Sequence, residues 1–249
     1  MSVICTNLSK SYGGVTALCD LSLRLPDQGI VALIGPNGAG KTTFLNVMTG
    51  FEKPDSGNVE IDGTSIVTLK PFQIARLGVS RTFQDVRLFW DLSVMDNVIC
   101  ARQGGSIEGL IRNLFGFGLK GDERRNRSNA EWALEFVKLG SFGNAAPQEL
   151  SYGQQKLLSI VCAFETEARI LVLDEPVSGV DLQMRRELLR LLVDLKSYRR
   201  MILFIEHDID AVREIADLAI VMDHGSVIAE GQPQDVLARR EVITAFWGK

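Results

Sequence analysis

One eight-residue stretch, Gly35-Pro36-Asn37-Gly38-Ala39-Gly40-Lys41-Thr42, constrains this chain more than any other. It follows an apolar run, Ile30 to Ile34, and precedes a segment, Thr42 to Thr49, that reads as a helix. Strand, glycine-rich loop and helix, in that order, is the context in which G-x-x-x-x-G-K-[ST] is a phosphate-binding loop. Gly35, Gly38 and Gly40 permit backbone angles and close approaches that a Cβ forbids. The N–H groups so released can converge as an anion nest at the positive end of a helix. Lys41 supplies a point charge for β- and γ-phosphates. The Thr42 hydroxyl can ligate Mg2+, and Thr43 can reach an α-phosphate.

The pattern on either side predicts an α/β chain. Val3 to Leu8 reads as a strand. Asp20 to Leu25 alternates strictly, with Leu21, Leu23 and Leu25 on one side, as a half-buried antiparallel strand does. Between them Ser11-Tyr12-Gly13-Gly14 is a turn carrying one aromatic. A second turn, Pro54 to Gly57, leads into Val59 and Ile61, closed by Asp62-Gly63. An antiparallel layer is therefore expected beside a parallel core. Pro71 to Leu77 reads as a short helix and Val79 to Phe83 as a strand ending at Gln84. Ser93-Val94-Met95-Asp96 is a helix start. Helical pattern resumes from Asn129 to Lys138 and from Gly153 to Glu165, with a glycine-rich insertion, Gly104 to Gly121, before them. One domain is expected over 1–249, its core built from 1–84 and 161–249, with a mainly helical subdomain at 85–160 inserted into it.

After the insertion, strand and helix alternate. Arg169 to Leu173 and Met201 to Ile205 are near-continuous apolar runs, the signature of buried parallel strands. Leu182 to Lys196 and Ile209 to Ile215 read as helices. Leu218 to Met222 is a strand leading through Asp223-His224-Gly225-Ser226 into Val227 to Ala229. Such alternation predicts a parallel sheet with helices on both faces. Pro233 to Arg239 and Glu241 to Trp247 finish the chain as short helices.

Two further stretches carry chemistry. Leu173-Asp174-Glu175-Pro176 puts two carboxylates at the carboxyl end of a buried strand, where doubly wound sheets hold their active sites. Asp174 can hold the Mg2+ shell, and Glu175 can orient and deprotonate a water attacking a γ-phosphorus. Leu150-Ser151-Tyr152-Gly153-Gln154-Gln155 opens a helix, with Ser151 as N-cap and Gly153 expected to leave an exposed amide.

In their joint order these stretches resemble the ATP-binding-cassette transporter ATPases over essentially the whole chain. The order is phosphate loop, Gln84, LSYGQQ, ILVLDE, Ser178-Gly179-Val180-Asp181, then His207 in IEHD. The resemblance implies an α/β P-loop NTPase core, RecA-like, with an antiparallel β layer and an inserted α-helical subdomain. It implies ATP and Mg2+ as cofactors and ATP hydrolysis as the activity. Tyr12 would stack on adenine with Val15 and Ala17 nearby. Gln84 would touch Mg2+ or the attacking water, and His207 would bond the γ-phosphate. Ser151, Gly153 and Gln154 would cap a nucleotide held by a second cassette, and Asp181 would bridge to that cassette. Gly78 to Gln84, Val86 to Phe89, the glycine-rich insertion, IEHD and the ending Val242 to Gly248 look most like the subunits of branched-chain amino acid importers, with urea and amide importers close relatives. Integral-membrane permeases, and indirectly a substrate-binding protein, would then be partners. Leu88, Phe89 and Trp90 are either core or part of a groove that receives a short helix of a permease.

Composition narrows the rest. The net charge is −4, which argues against a nucleic-acid partner and so against a non-transport cassette acting in DNA repair or translation. Intact Glu175 and His207 argue against a regulatory module without turnover. Cys5, Cys19, Cys100 and Cys162 lack C-x-x-C spacing, and a reduced, cytosolic setting is expected. Neither a signal-peptide pattern nor a transmembrane-length apolar run is read, so any work at a membrane would go through docking to another subunit; the location the resemblance implies is peripheral, on the cytoplasmic face of the plasma membrane. The basic run Glu123 to Arg127 reads as a solvated helix start, and His224 is assigned no role.

Overall fold

A computed structural model describes residues 2–102 and 120–248, so most of the glycine-rich insertion expected at Gly104 to Gly121 lies outside the described residues. Among the described residues, ten strands form two sheets. The first four-stranded sheet is antiparallel, in the order β2 (Val15–Leu25), β1 (Val3–Tyr12), β4 (Ser56–Ile61), β5 (Thr64–Ser65). The six-stranded sheet runs β10 (Ser226–Gly231), β9 (Leu218–Asp223), β3 (Gly29–Ile34), β8 (Met201–Ile205), β7 (Ile170–Asp174), β6 (Val79–Arg81). All its neighbours are parallel except the β9–β10 hairpin.

The apolar runs are continuous because both faces of this sheet are covered. Along β3, Ile30, Ala32 and Ile34 enter one hydrophobic cluster while Val31 and Leu33 enter the other. The first cluster is closed by α5 (Tyr152–Glu165), α6 (Leu182–Lys196) and α7 (Ile209–Ile215). On α6, Leu188, Leu189, Leu191, Leu192 and Leu195 are buried, a stripe at helical spacing. The opposite face carries α1 (Lys41–Met48) together with the antiparallel sheet. This second face is thus mostly sheet on sheet, because β1 and β2 present apolar side chains on one side only, as in Leu21, Leu23 and Leu25 against Val31 and Leu33. Phe44 of α1 is fully buried there, which contributes about 1.5–3 kcal/mol.

Helices α2 (Pro71–Arg76), α3 (Val94–Arg102), α4 (Lys120–Phe136), α8 (Pro233–Leu237) and α9 (Arg240–Trp247) complete the described chain. Ser93 caps α3: its hydroxyl accepts the Asp96 N–H at 3.0 Å. The basic run falls inside α4, with Arg124, Arg125 and Arg127 exposed. Helix α5 is unbroken across residue 160. Of the apolar trio after Gln84, Leu88 packs on the core, whereas Phe89 and Trp90 are exposed. Buried Asn97 holds that corner by accepting the Phe89 N–H at 2.8 Å and donating to the Phe89 and Ser93 carbonyls.

Strand order positions the site. β8 lies between β3 and β7, and its Ile205 stands opposite both Leu33 and Asp174. The segments that follow Ile34, Asp174 and Ile205 therefore emerge side by side at the carboxyl ends of three adjacent strands, two strand spacings or about 10 Å across.

Candidate active site at the strand ends

The phosphate loop is held from outside. Gly40 has φ 98° and stands so close to β2 that a Cβ would run into the Ala17 carbonyl oxygen. The β9–β10 turn braces the loop from the other side: the Gly225 N–H donates to the Ala39 carbonyl at 3.1 Å, and the Gly225 carbonyl accepts the Cys19 N–H at 3.0 Å. At Gly38 the space where a Cβ would sit is open, so a ligand can approach the backbone.

Helix α1 differs from its neighbours at its start. Ser151 caps α5, Asp181 caps α6 and Asp208 caps α7, each with a side-chain oxygen. The first turn of α1 has neither a side-chain cap nor an acidic residue. Its N–H donors are thus left for an external anion. Lys41 follows directly, buried, with its ammonium donating to the Gly35 and Pro36 carbonyls at 2.8 and 2.9 Å. Burial holds its pKa below the usual lysine value, partly offset by the Glu175 and Asp174 carboxylates. Thr42 is exposed at the mouth, Thr43 half-buried, and Asn37 exposed. The cradle fits a polyphosphate.

Glu175 is the meeting point of the predicted hydrolytic residues. Gln84 Nε2 lies 3.2 Å from its Oε2, and His207 Nε2 lies 3.4 Å from its Oε1. The backbone of Glu175 adopts φ 49°, a region that costs a non-glycine residue and that persists only where surroundings enforce it. Asp174, one residue earlier, is buried, and its Oδ2 accepts from Arg81 at 3.0 Å. Among the described residues no three His, Cys, Asp or Glu side chains gather as a metal cage. A Mg2+ here would therefore draw most of its ligands from phosphate oxygens and water, with Thr42, Asp174 and Gln84 at hand, which suits that ion's habit.

Several residues that sequence reasoning missed hold this arrangement. Arg81 donates to Asn46 Oδ1 at 2.8 Å and Thr49 Oγ1 at 3.0 Å as well as to Asp174. Burial lowers its pKa, and Asp174 raises it. An arginine at the end of a short strand, just ahead of Thr82-Phe83-Gln84, was the available signal. Glu206, Lys156 and Arg185 are three more: Arg185 Nε donates to Asp208 Oδ2 at 2.6 Å, tying the start of α6 to the segment after His207.

The remaining predicted residues divide by location. Tyr12 stands exposed at the end of β1, with the Lys10 ammonium 5.3 Å from its ring centre; Val15 is exposed and Ala17 half-buried. Ser151 and Gln154 form a reciprocal cap: the Ser151 hydroxyl accepts the Gln154 N–H, and Gln154 Oε1 accepts the Ser151 N–H. Gly153 corrects an expectation. It is buried rather than exposed, because a Cβ there would collide with Met184 of α6. The hydrogen bonds of Ser151 stay within its own helix, to Gln154 and Gln155, and none reaches the phosphate loop of its own chain. Asp181 is exposed and accepts the Gln183 and Met184 N–H groups. His224 projects into solvent from the hairpin.

An uncapped glycine-rich cradle with a buried lysine, an acidic pair two strands away and a glutamine and histidine converging on the second acid define a P-loop nucleoside triphosphatase. The sequence profile described as ABC transporter matches residues 18–178. The high-affinity branched-chain amino acid transport ATP-binding protein BraF of Pseudomonas aeruginosa is 36% identical over 246 residues, 98% of this chain and 96% of that protein. A crystallised ATP-binding cassette of an ABC transporter, in its ADP conformation, superposes with a TM-score of 0.85 at 30% identity over 100% of both chains. A dimeric cassette in a post-hydrolysis state, bound to ADP and Pi, superposes at 0.77 with 27% identity, over 93% of this chain and 98% of that one. The chain belongs to the ABC transporter family and is one of its ATPase cassettes.

Proposed function

We propose that this chain is the ATP-hydrolysing subunit of an importer for branched-chain amino acids. The observation that carries the hydrolytic part is the convergence of Gln84 and His207 on Glu175 beside the phosphate cradle. The similarity to BraF over nearly the full length of both chains supports the substrate.

Each residue has a task. Lys41 exchanges its two loop carbonyls for β- and γ-phosphate oxygens, beside the free N–H groups of α1. Bound Mg2+ would neutralise phosphate charge, with Thr42, Asp174 and Gln84 as its protein contacts. Glu175 accepts a proton from the water that Gln84 and His207 hold in line with the γ-phosphorus. Tyr12, exposed at the rim with Val15 and Ala17, provides a platform for adenine.

The second half of the site comes from a second cassette, the same chain or a sibling. Ser151, Gly153 and Gln154 begin a helix whose bonds never touch their own phosphate loop, and a similar cassette bound to ADP and Pi is dimeric. Ser151 would cap the partner's γ-phosphate, with Asp181 beside the interface. Hydrolysis then loosens the pair, a two-state element biased by one phosphoryl group. Among the described residues no helix is long and apolar enough to cross a membrane. Exposed Phe89 and Trp90, just after Gln84, support a reading in which a permease helix docks there and the chain sits peripherally on the cytoplasmic face of the membrane, with a substrate-binding protein further off.

The decisive experiment is Glu175→Gln. Steady-state hydrolysis is lost, and ATP with Mg2+ shifts the chain to a dimer in size-exclusion chromatography. Hydrolysis at the parental rate would refute the assignment of the base.

A further inference from the structure

The turn that carries Glu175, Glu175-Pro176-Val177-Ser178, is gripped by two buried charges of opposite sign. Lys156 lies on the buried face of α5, 5% exposed. Its ammonium donates to the Glu175 carbonyl at 2.7 Å and to Ser178 Oγ at 3.1 Å. Glu206, 3% exposed at the end of β8, accepts the Val177 N–H at 2.9 Å and the His207 N–H at 3.2 Å. One charge therefore holds the turn by its carbonyl edge and the other by its amide edge.

Stability alone is a weak reason for this arrangement. Two charges drawn out of water cost more than apolar side chains of similar volume in the same space. The turn, however, needs an outside hold. Glu175 sits at φ 49°, and a residue in that region relaxes unless its neighbours over-determine it. Ser178 N–H and Oγ also reach the Glu175 carbonyl, at 3.3 and 3.2 Å, so three donors, the Lys156 ammonium among them, converge around one oxygen.

We infer that Lys156 and Glu206 are positioning residues for hydrolysis: they lock the left-handed turn so that the Glu175 carboxylate faces Gln84 and His207, and Lys156 makes that aim depend on how α5 is seated. The inference rests on the reading of Glu175 as the base. Its consequence is a short mechanical link. The α5 start, Ser151, lies about 7.5 Å of helix rise from Lys156. A shift of that start against a second cassette is felt at the Glu175 carbonyl of the same chain, so each cassette's base would respond to the site that its Ser151 caps. Glu206 extends the link to His207 through one carboxylate.

The test measures steady-state hydrolysis and equilibrium Mg-ATP binding on the full chain. Lys156→Met is expected to lower kcat at least about tenfold, as small misplacements of a reacting group do, with the ATP Kd within about twofold. Lys156→Arg recovers most of the rate, and Glu206→Gln, which keeps one acceptor oxygen, falls between. Parental kcat in Lys156→Met overturns the inference. So does a joint fall in kcat, ATP affinity and unfolding midpoint that Lys156→Arg does not repair. Where Lys156→Met fails to fold, Ser178→Ala decides, since it removes one hydroxyl and strands no charge: about threefold lower kcat supports the inference and an unchanged kcat overturns it. Parental turnover in Glu175→Gln is a separate result. It removes the base reading, and this inference with it, whatever Lys156 does.

Discussion

Replacing Arg81 by methionine is expected to destabilise the chain by about 3 kcal/mol, the low end of the cost of breaking a buried ion pair from one side. Its guanidinium satisfies three acceptors, Asp174, Asn46 and Thr49, at 3.0, 2.8 and 3.0 Å. The side chains of Arg81 and Asp174 are 6% and 10% exposed, so water cannot take over when the arginine is lost. Two features hold the figure at the low end. Arg81 Nε is already buried without a partner, and burial already disfavours the charged guanidinium; methionine relieves both. The loss corresponds to a fall in Tm of about 6–12 °C for a chain of this size. Urea unfolding reads it directly, as a lower midpoint at unchanged slope. A double-mutant cycle isolates the cause: Arg81→Met with Asp174→Leu is more stable than Arg81→Met alone, because no carboxylate is stranded. A cost below about 1 kcal/mol for Arg81→Met, or additive single effects, would refute the reasoning. Arg127, exposed on α4 and paired with Glu131, is the control: Arg127→Ala changes stability by no more than about 0.5 kcal/mol.

Three other outcomes are expected. Gly40→Ala drives a Cβ into the Ala17 carbonyl at a residue with φ 98°, so titration calorimetry with Mg-ATP shows binding lost while Gly63→Ala, in a solvent-facing turn, keeps it. Gly153→Ala pushes α5 off Met184 and lowers the unfolding midpoint; adding Met184→Ala restores much of it, and a double variant no better than the single would contradict the packing account. Burial pushes the Cys5 and Cys162 thiols up to about 12 from 9.0, so at pH 8 a thiol reagent labels exposed Cys19 first, half-buried Cys162 more slowly because its thiol stays protonated, and buried Cys5 only after unfolding. The same shift bears on alkaline stability. The folded state keeps protons that the unfolded state releases, so this contribution is full below pH 9 and is lost as pH rises toward about 12.

Much of the fold was legible because its signals are local. Leu182–Lys196 and Met201–Ile205 emerge with the boundaries their periodicity predicts, since helix α6 needs only its apolar stripe and β8 only its apolar run. The phosphate loop was legible for the same reason: glycine, lysine and threonine act through their own backbone segment. β1 extends to Tyr12, beyond the expected end at Leu8, because its second half pairs with β2 across register shifts that alternation alone does not reveal. The covering of the second sheet face was also hidden, because whether helix or sheet closes it depends on which apolar surface is left unpaired.

From its sequence alone this chain determined a buried parallel core, an anion cradle and the identities of Glu175, Gln84 and His207. Tertiary structure decided what those groups touch. Arg81 meets Asp174 across 93 residues and Gln84 meets Glu175 across 91, only because β6 adds beside β7. Glu206 reaches Val177 because β8 runs alongside β7, and Gly153 became a packing residue because α6 crosses it. Periodicity reports which side of an element is buried; strand order and helix seating choose the partner found there, and partner choice sets the charge and aim of a catalytic group.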